Sequence, residues 1–242
     1  MFIDIHSHIL PGVDDGAETF NDACEIMKQA YASGTTVMTV TPHYNNISQC
    51  HKRLKKNDAV EKYRELKSAA AEKGIPMTLF LGSELLVDDN IDHMFRNDEF
   101  ITLNGSRYML TEFAFDKDIN VVGSYIDSLL SYGIIPVIAH PERYNFFINN
   151  YSAIMYTAEK GCKFQINKGS PLGQYGPDSQ ATAIWMLNND CVHVIASDCH
   201  STSLRNSDMS DIYSWMLERF DKSRIIELMH DNPKRILLDQ YF

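Results

Sequence analysis

The residues that could do chemistry begin with Asp4-Ile5-His6-Ser7-His8, where two imidazoles stand one residue apart at the end of an apolar stretch. In an extended strand, alternate side chains point to one side, so His6 and His8 are expected to reach a single point in space. Neutral imidazole is the commonest protein ligand for zinc, iron and similar ions. Asp15 follows in a turn marked by Pro11-Gly12 and Asp15-Gly16. The plain alternative is a surface turn with an incidental histidine pair. Further ligands at later strand ends decide between the two.

Such ligands recur. His43 follows an apolar run at 36–40, Glu84 one at 77–81, Glu112 one at 108–110, and His140 one at 134–138; Asp198 and His200 follow one at 192–196. Histidines scattered over surface loops would not fall so regularly. One four- to six-coordinate ion needs fewer donors than these, so a cluster of two or three ions is expected, and the two oxygens of Glu84 suit it to bridging. Arg143 and Arg205 follow His140 and His200 closely. A guanidinium beside a multi-metal centre points to an anionic substrate, above all phosphate, which it binds bidentately. Phosphate-ester hydrolysis suits such a centre, because one ion lowers the pKa of a water and several together clamp attacking and leaving oxygens.

The elements that must position these residues alternate. A helix to about Ala32, capped by Thr19 or Asn21, carries Ala23, Ile26, Met27, Ala30 and Tyr31 as an apolar stripe. Helices are expected near 52–73, 119–132, 149–160 and 178–188, with an irregular polar segment between Glu84 and Gly105. Strands are expected at 36–40, 77–81, 108–110, 134–138, 162–167 and 192–196, with two or three helices after them, the last opened by Asn232-Pro233. Alternation of buried strands with helices predicts one α/β domain over 1–242 with parallel strands. About seven strands predict a closed or distorted barrel, in which active sites gather at the C-terminal strand ends.

Composition narrows the class. The chain has 242 residues, 44% hydrophobic and 22% charged, as ordinary globular proteins do, and its formal charge of −10 argues against binding nucleic acid or anionic membrane. No apolar run approaches the ~20 residues of a membrane span, and no signal-peptide pattern opens the chain. Five cysteines without a CxxC pair predict reduced thiols and a cytoplasmic location.

Together, DIHSHILPGVDDG, TPHY, GSE, TEF, HPERY and SDCH resemble, in order, the motifs of the PHP (polymerase and histidinol phosphatase) superfamily. Within it they are similar to the bacterial manganese-dependent tyrosine phosphatases of capsule and exopolysaccharide operons. The resemblance runs nearly end to end, through Asn232-Pro233-Lys234-Arg235-Ile236-Leu237. It implies a distorted (β/α)7 PHP barrel with the metal site at the C-terminal ends of the strands. It implies that His6, His8, Glu84 and Asp198 hold one ion, that Glu84, Glu112 and His140 hold a second, and that Asp15, His43 and His200 hold a third. Manganese is the first expectation, with iron, cobalt or zinc as alternatives. Arg143 and Arg205 would bind phosphate, and the catalytic set would be Arg143, Arg205, His43 and Asp198. The implied substrate is phosphotyrosine on the C-terminal tail of an autophosphorylating bacterial tyrosine kinase that regulates polysaccharide export. The oligomeric state stays open, a homo-oligomer included. At Ile166-Asn167-Lys168-Gly169-Ser170, Lys168 stands where a small residue is expected.

Other readings compete. Cys199-His200-Ser201-Thr202-Ser203-Leu204-Arg205 has the C-x5-R spacing of cysteine-dependent tyrosine phosphatases. Its loop lacks a glycine that would let backbone N–H groups converge on phosphate, and Asp198 would raise the thiol pKa. A histidinol-phosphate phosphatase of the same superfamily, and a non-catalytic metal-stabilised binding module, are the remaining alternatives. His51, His93, His193 and His230 read as solvated or core residues, Asp14 as a turn cap, and Glu142 as a partner of ligands rather than a ligand. Tyr44, Phe113, Phe115 and Tyr144 read as core, with flanking a substrate ring as the alternative.

Overall fold

The computed structural model describes residues 1–45 and 54–242. Nine strands and nine α-helices are described, and every ladder between strands is parallel. β1 (Phe2–Ser7), β2 (Thr35–Val40) and β4 (Thr78–Leu81) form one sheet in the order β1-β2-β4. β3 (His43–Tyr44), β5 (Glu84–Leu86), β6 (Tyr108–Glu112), β7 (Ile135–Ala139), β8 (Lys163–Asn167) and β9 (Val194–Ala196) form the other, in sequence order. The sheets are joined where β2 runs on into β3 and β4 into β5: Glu84 N–H donates to the Pro42 carbonyl (3.0 Å) and Gly82 N–H to that of Val40 (2.9 Å). After β9 the chain returns to β1, with an isolated parallel bridge between Ser7 and Cys199.

Helices pack between the strands where the apolar spacing directs them. Thr19 caps α1 (Phe20–Ala32) in a reciprocal box: its Oγ1 accepts from Asp22 N–H at 3.2 Å, and Asp22 Oδ2 accepts from Thr19 N–H at 2.9 Å. Ala23, Ile26, Met27 and Ala30 are buried on one face. α2 spans Lys56–Glu72, later than expected, because Leu54 and Lys55 precede it; residues 52–53 of the expected helix, and His51, lie outside the described residues. The segment expected to be irregular before Gly105 contains α3 (Ile91–Arg96) as well as β5. α4 (Ile119–Ser131) and α5 (Tyr151–Glu159) follow β6 and β7. α6 (Pro177–Asn188) follows β8, and α7 (Ser210–Leu217), α8 (Lys222–Ile226) and α9 (Asn232–Leu237) finish the chain.

Both faces of the strands are covered, which is why they read as near-continuous apolar runs. In β6, Tyr108 and Leu110 join one apolar cluster and Met109 the other; in β9, Val194 and Ala196 join one and Ile195 the other. β1 and β8 depart from this. In β8, Phe164 and Ile166 enter the core, while the alternate residues Gln165 and Asn167 are fully buried and polar, as Asp4 and His6 are in β1. No helix among the described residues is long and apolar enough to cross a membrane.

Gly16 stands where the turn after β1 folds back. A Cβ there would overlap the His8 carbonyl oxygen and Cβ, so no side chain fits. Gly123, inside α4, has open space around it. Gly16→Ala should therefore cost about 1–3 kcal/mol, a fall of about 3–10 °C in Tm in the metal-free protein. Gly123→Ala should leave Tm level or slightly raised. Equal Tm values for the two variants in thermal unfolding with EDTA would refute the close-approach argument.

Candidate metal centre

All nine ligand-type residues converge, although not all from strand ends as expected. His6 lies inside β1 and His8 just past it. His43 and Glu84 open the short strands β3 and β5, and Glu112 ends β6. His140 and Asp198 follow β7 and β9 in left-handed backbone, with φ of 36° and 52°. Non-glycine residues seldom adopt it, and it collects where a fold over-determines a functional side chain.

His6 Nε2 and His8 Nε2 are 3.1 Å apart. His6 Nε2 is 3.3 Å from Asp198 Oδ1 and 3.4 Å from Glu84 Oε1; His8 Nε2 is 3.5 Å and 3.3 Å from Asp198 Oδ1 and Glu84 Oε2. Two donors bound ~2.1 Å from one ion, at tetrahedral to octahedral angles, lie about 3.0–3.4 Å apart, so these atoms fit a shared cation. Glu84 reaches further: Oε1 is 2.9 Å from His140 Nε2, and Oε2 is 3.0 Å from His43 Nδ1. Asp15, the most exposed of the nine, places Oδ1 3.4 Å from His43 Nε2 and 3.2 Å from His200 Nε2. Three groups of donors close enough to share an ion result: His6, His8 and Asp198; His8, Asp15, His43 and His200; and His43, Glu84 and Glu112. His140 meets Glu84 as expected, but the geometry differs from the expected grouping in that His43 also sits against Glu84 and Glu112, and His8 also sits with Asp15, His43 and His200. Glu84 Oε2 and His200 Nε2 are buried without a satisfactory hydrogen bond, as atoms awaiting an ion would be.

A second layer aims the imidazoles. His6 Nδ1 meets Gln165 Oε1 at 2.7 Å, His8 Nδ1 meets Asp14 Oδ2 at 2.9 Å, and His200 Nδ1 meets the Asp198 carbonyl at 3.0 Å. Each acceptor needs Nδ1 to carry the proton, which turns the Nε2 lone pair inward. Asp14 also accepts from His43 N–H (2.9 Å) and Gly16 N–H (3.0 Å), so it fastens two ligands as well as capping the turn. Gln165 Nε2 donates to Asn167 Oδ1 (3.0 Å), and Asn167 Nδ2 to Asp198 Oδ2 (2.6 Å). Gln165 and Asn167 were not among the residues singled out from the sequence; two polar residues at period 2 in an apolar strand were the available signal. Glu142 holds the Asn167 N–H (2.9 Å) and the Ser170 hydroxyl (2.6 Å), and burial lifts its carboxyl to about 7. Lys168 is buried, its Nζ 2.9 Å from Asn206 Oδ1.

Burial opposes charge at every group here. For Glu84 and Asp198 the surrounding histidines outweigh it, with Arg205 adding to the effect on Asp198, and both carboxyls lie well below the usual range. Burial and neighbouring His8 depress His43, but Glu84 and Asp15 prevail and raise it to about 9. Burial dominates at His140 and His200, which fall to about 4.

Arg205 Nη2 donates to Asp198 Oδ1 at 2.6 Å, and Arg143 Nη1 lies 3.7 Å from Asp198 Oδ2. Cys199 is fully buried, and burial, with Asp4 nearby, pushes its thiol up to about 12. The N–H groups of His200 and Ser201 are spent on the Arg205 carbonyl. The C-x5-R stretch is therefore no thiolate cradle for phosphate. His193 accepts from Phe164 N–H and is driven to about 3 by burial, His93 meets Asn97, and His230 pairs with Asp231, all away from the centre.

Residues 2–238 match the sequence pattern of the family described as "Capsular polysaccharide synthesis, CpsB/CapC". The chain belongs to this family. Among relatives, it is 30% identical to the tyrosine-protein phosphatase YwqE of Bacillus subtilis, over 98% of this chain and 92% of that protein. It is 29% identical to the tyrosine-protein phosphatase CpsB of Streptococcus pneumoniae, over 98% and 99%. In structure it matches a chain from the work on YwqE and CpsB described as "unique metal-dependent tyrosine phosphatases", with a TM-score of 0.90, 29% identity and 99% and 96% coverage. An organophosphorus hydrolase from Deinococcus radiodurans, 11% identical with a TM-score of 0.64 over 98% and 92% of the chains, shares the fold alone.

Two outcomes follow from this geometry. Asp14→Asn should weaken manganese binding by roughly 10–100-fold in calorimetry, with unchanged circular dichroism; wild-type affinity would remove Asp14 from the supporting layer. In the metal-free chain, His43 is raised, so below about pH 9 it holds a proton that an incoming ion must displace. Manganese affinity should rise from about pH 6 to about pH 9, and binding heats should vary with buffer ionisation enthalpy. A flat pH profile would contradict this.

Proposed function

We propose that this chain is a metal-dependent protein-tyrosine phosphatase, acting on the phosphotyrosine tail of a bacterial tyrosine kinase that governs capsular or exopolysaccharide synthesis. The observation that carries the reading is the set of four carboxylates, Asp15, Glu84, Glu112 and Asp198, drawn together among five imidazoles beside two arginines. It is supported by family membership and by the phosphatase names of its relatives. We read residues 1–242 as one catalytic domain. Taken as continuous, β2 with β3 and β4 with β5 leave seven strands, which supports a distorted (β/α)7 barrel with the centre at its C-terminal rim. His6, His8, Glu84 and Asp198 would hold one divalent ion, Glu84, Glu112 and His140 a second, and Asp15, His43 and His200 a third, with His43 also within reach of the second. Manganese is the ion we favour. The thiols of Cys24, Cys162, Cys191 and Cys199, free and buried, suit the reducing cytoplasm.

Bound ions would supply Lewis acidity at the phosphoryl group and lower the pKa of a water for attack. The chain's own residues do the rest. Arg205, fixed on Asp198 by one terminal nitrogen, has a buried Nε with no partner, a donor ready for a phosphoryl oxygen. Arg143 takes the same group from the side of His140. Asp198 and His43 hold this arrangement, Asp198 by joining Arg205 to His6 and His8, His43 by joining Asp15 to Glu84. The leaving group is a tyrosinate, whose parent pKa is about 10, so it departs with less acid assistance than an alkoxide needs.

Purified protein should hydrolyse a phosphotyrosine peptide, lose activity in EDTA and regain it with manganese. Asp198→Ala or His140→Ala should lower kcat/KM by at least about 100-fold, whereas Cys199→Ser should stay within about threefold. Activity that survives EDTA but falls with Cys199→Ser would sink the proposal.

A further inference from the structure

Arg143 and Arg205 are anchored by different means. Arg205 is tied to a carboxylate at 2.6 Å. Arg143 lies in the short turn Pro141–Arg143 after His140; its guanidinium makes no hydrogen bond to any described residue, and its one anionic neighbour among them, Asp198, is 3.7 Å away. Two aromatic rings hold it instead. Its guanidinium carbon lies 5.0 Å from the ring centroid of Phe115 and 4.7 Å from that of Tyr175. Phe115 is in turn stacked on His140, with centroids 6.0 Å apart and planes at 25°. Tyr175 comes from the loop after β8, which folds back through a bond from Gln174 N–H to the Gly169 carbonyl at 3.0 Å.

A guanidinium donates hydrogen bonds only in its plane, while an aromatic face attracts the cation without consuming a donor. Ring contacts thus orient Arg143 and leave its N–H groups for a ligand. A free arginine side chain would lose rotamer entropy on gripping phosphate; one already held by rings loses less.

We propose that Phe115 and Tyr175 are positioning residues that clamp Arg143 ready for the phosphoryl group of the substrate. This rests on the phosphatase reading for the identity of that ligand. It assigns Tyr175, which no sequence motif marks, a role through its ring rather than its hydroxyl.

The test reads phosphate binding without turnover. The dissociation constant of inorganic phosphate is measured by calorimetry on the manganese-loaded protein, and wild-type hydrolysis of a phosphotyrosine peptide is assayed alongside to judge the phosphatase reading separately. Tyr175→Leu should weaken phosphate binding by about 3- to 30-fold, and Phe115→Leu by a similar factor, which serves equally if Tyr175→Leu does not fold. Tyr175→Phe should remain within about twofold of wild type. In an Arg143→Ala background, neither leucine substitution should weaken binding further. The clamp is overturned if the leucine variants bind phosphate as wild type does, if Tyr175→Phe is as damaging as Tyr175→Leu, if the losses persist without Arg143, or if the wild type binds no phosphate.

Discussion

One carboxylate organises this molecule. Glu84 is fully buried, and its two oxygens lie within 3.4 Å of nitrogens from four histidines, His6, His8, His43 and His140. A charge taken so completely from water is tolerated only where opposite charge or coordination replaces the solvent. The surrounding imidazoles already hold its carboxyl ionised against burial. β1 and β7 must then end, and β3 and β5 begin, within a few ångströms of one point. β5 serves that need: the chain turns at Gly82-Ser83 after β4 and begins a new short strand with Glu84 itself, in register with His43 of β3.

Convergence alone would leave the imidazoles free to rotate. The outer hydrogen bonds remove that freedom, and they come from different distances in sequence. Asp14 acts within its own loop on His8, Asp198 through its carbonyl on His200, and Gln165 from 159 residues along the chain on His6. The Gln165–Asn167 pair then links His6 to Asp198, so two ligands of one group are oriented by alternate residues of a single strand. Breaking this layer would leave every ligand present yet misaimed.

Local pattern made much of this legible. The period-2 spacing of His6 and His8 needs only strand geometry, and the capping box at Thr19 needs only neighbours three residues apart. The order of strands and helices followed from apolar runs punctuated by glycine and proline. What stayed hidden depends on contacts between distant residues. β5 is three residues long and opens on a charge, so no periodicity announces it. Asp14 looked like a turn cap because its second oxygen meets His43 N–H only once the chain has folded. Tyr175 sits in a loop whose sequence gives no hint that Arg143 lies above its ring. The start of α2 was placed early because charged, alanine-rich sequence has high helix propensity wherever it lies, and propensity does not fix a boundary.

The Cys199–Arg205 stretch shows why spacing without surroundings misleads. Its C-x5-R interval and its place after a strand satisfy a pattern for thiolate chemistry, yet each physical requirement of that chemistry fails. The thiol is buried and driven up to about 12, the loop N–H groups close on the Arg205 carbonyl, and the arginine is bound to Asp198. The same segment meets every requirement of the other chemistry: Asp198 and His200 reach the ligand groups, and a small apolar Cys199 fills the space between them. The fold does not choose, since organophosphorus hydrolases share it at 11% identity. The choice is made by where protons and lone pairs point, and in this chain the imidazole lone pairs turn toward carboxylates in an arrangement that fits a shared cation, while the Cys199 sulfur is buried.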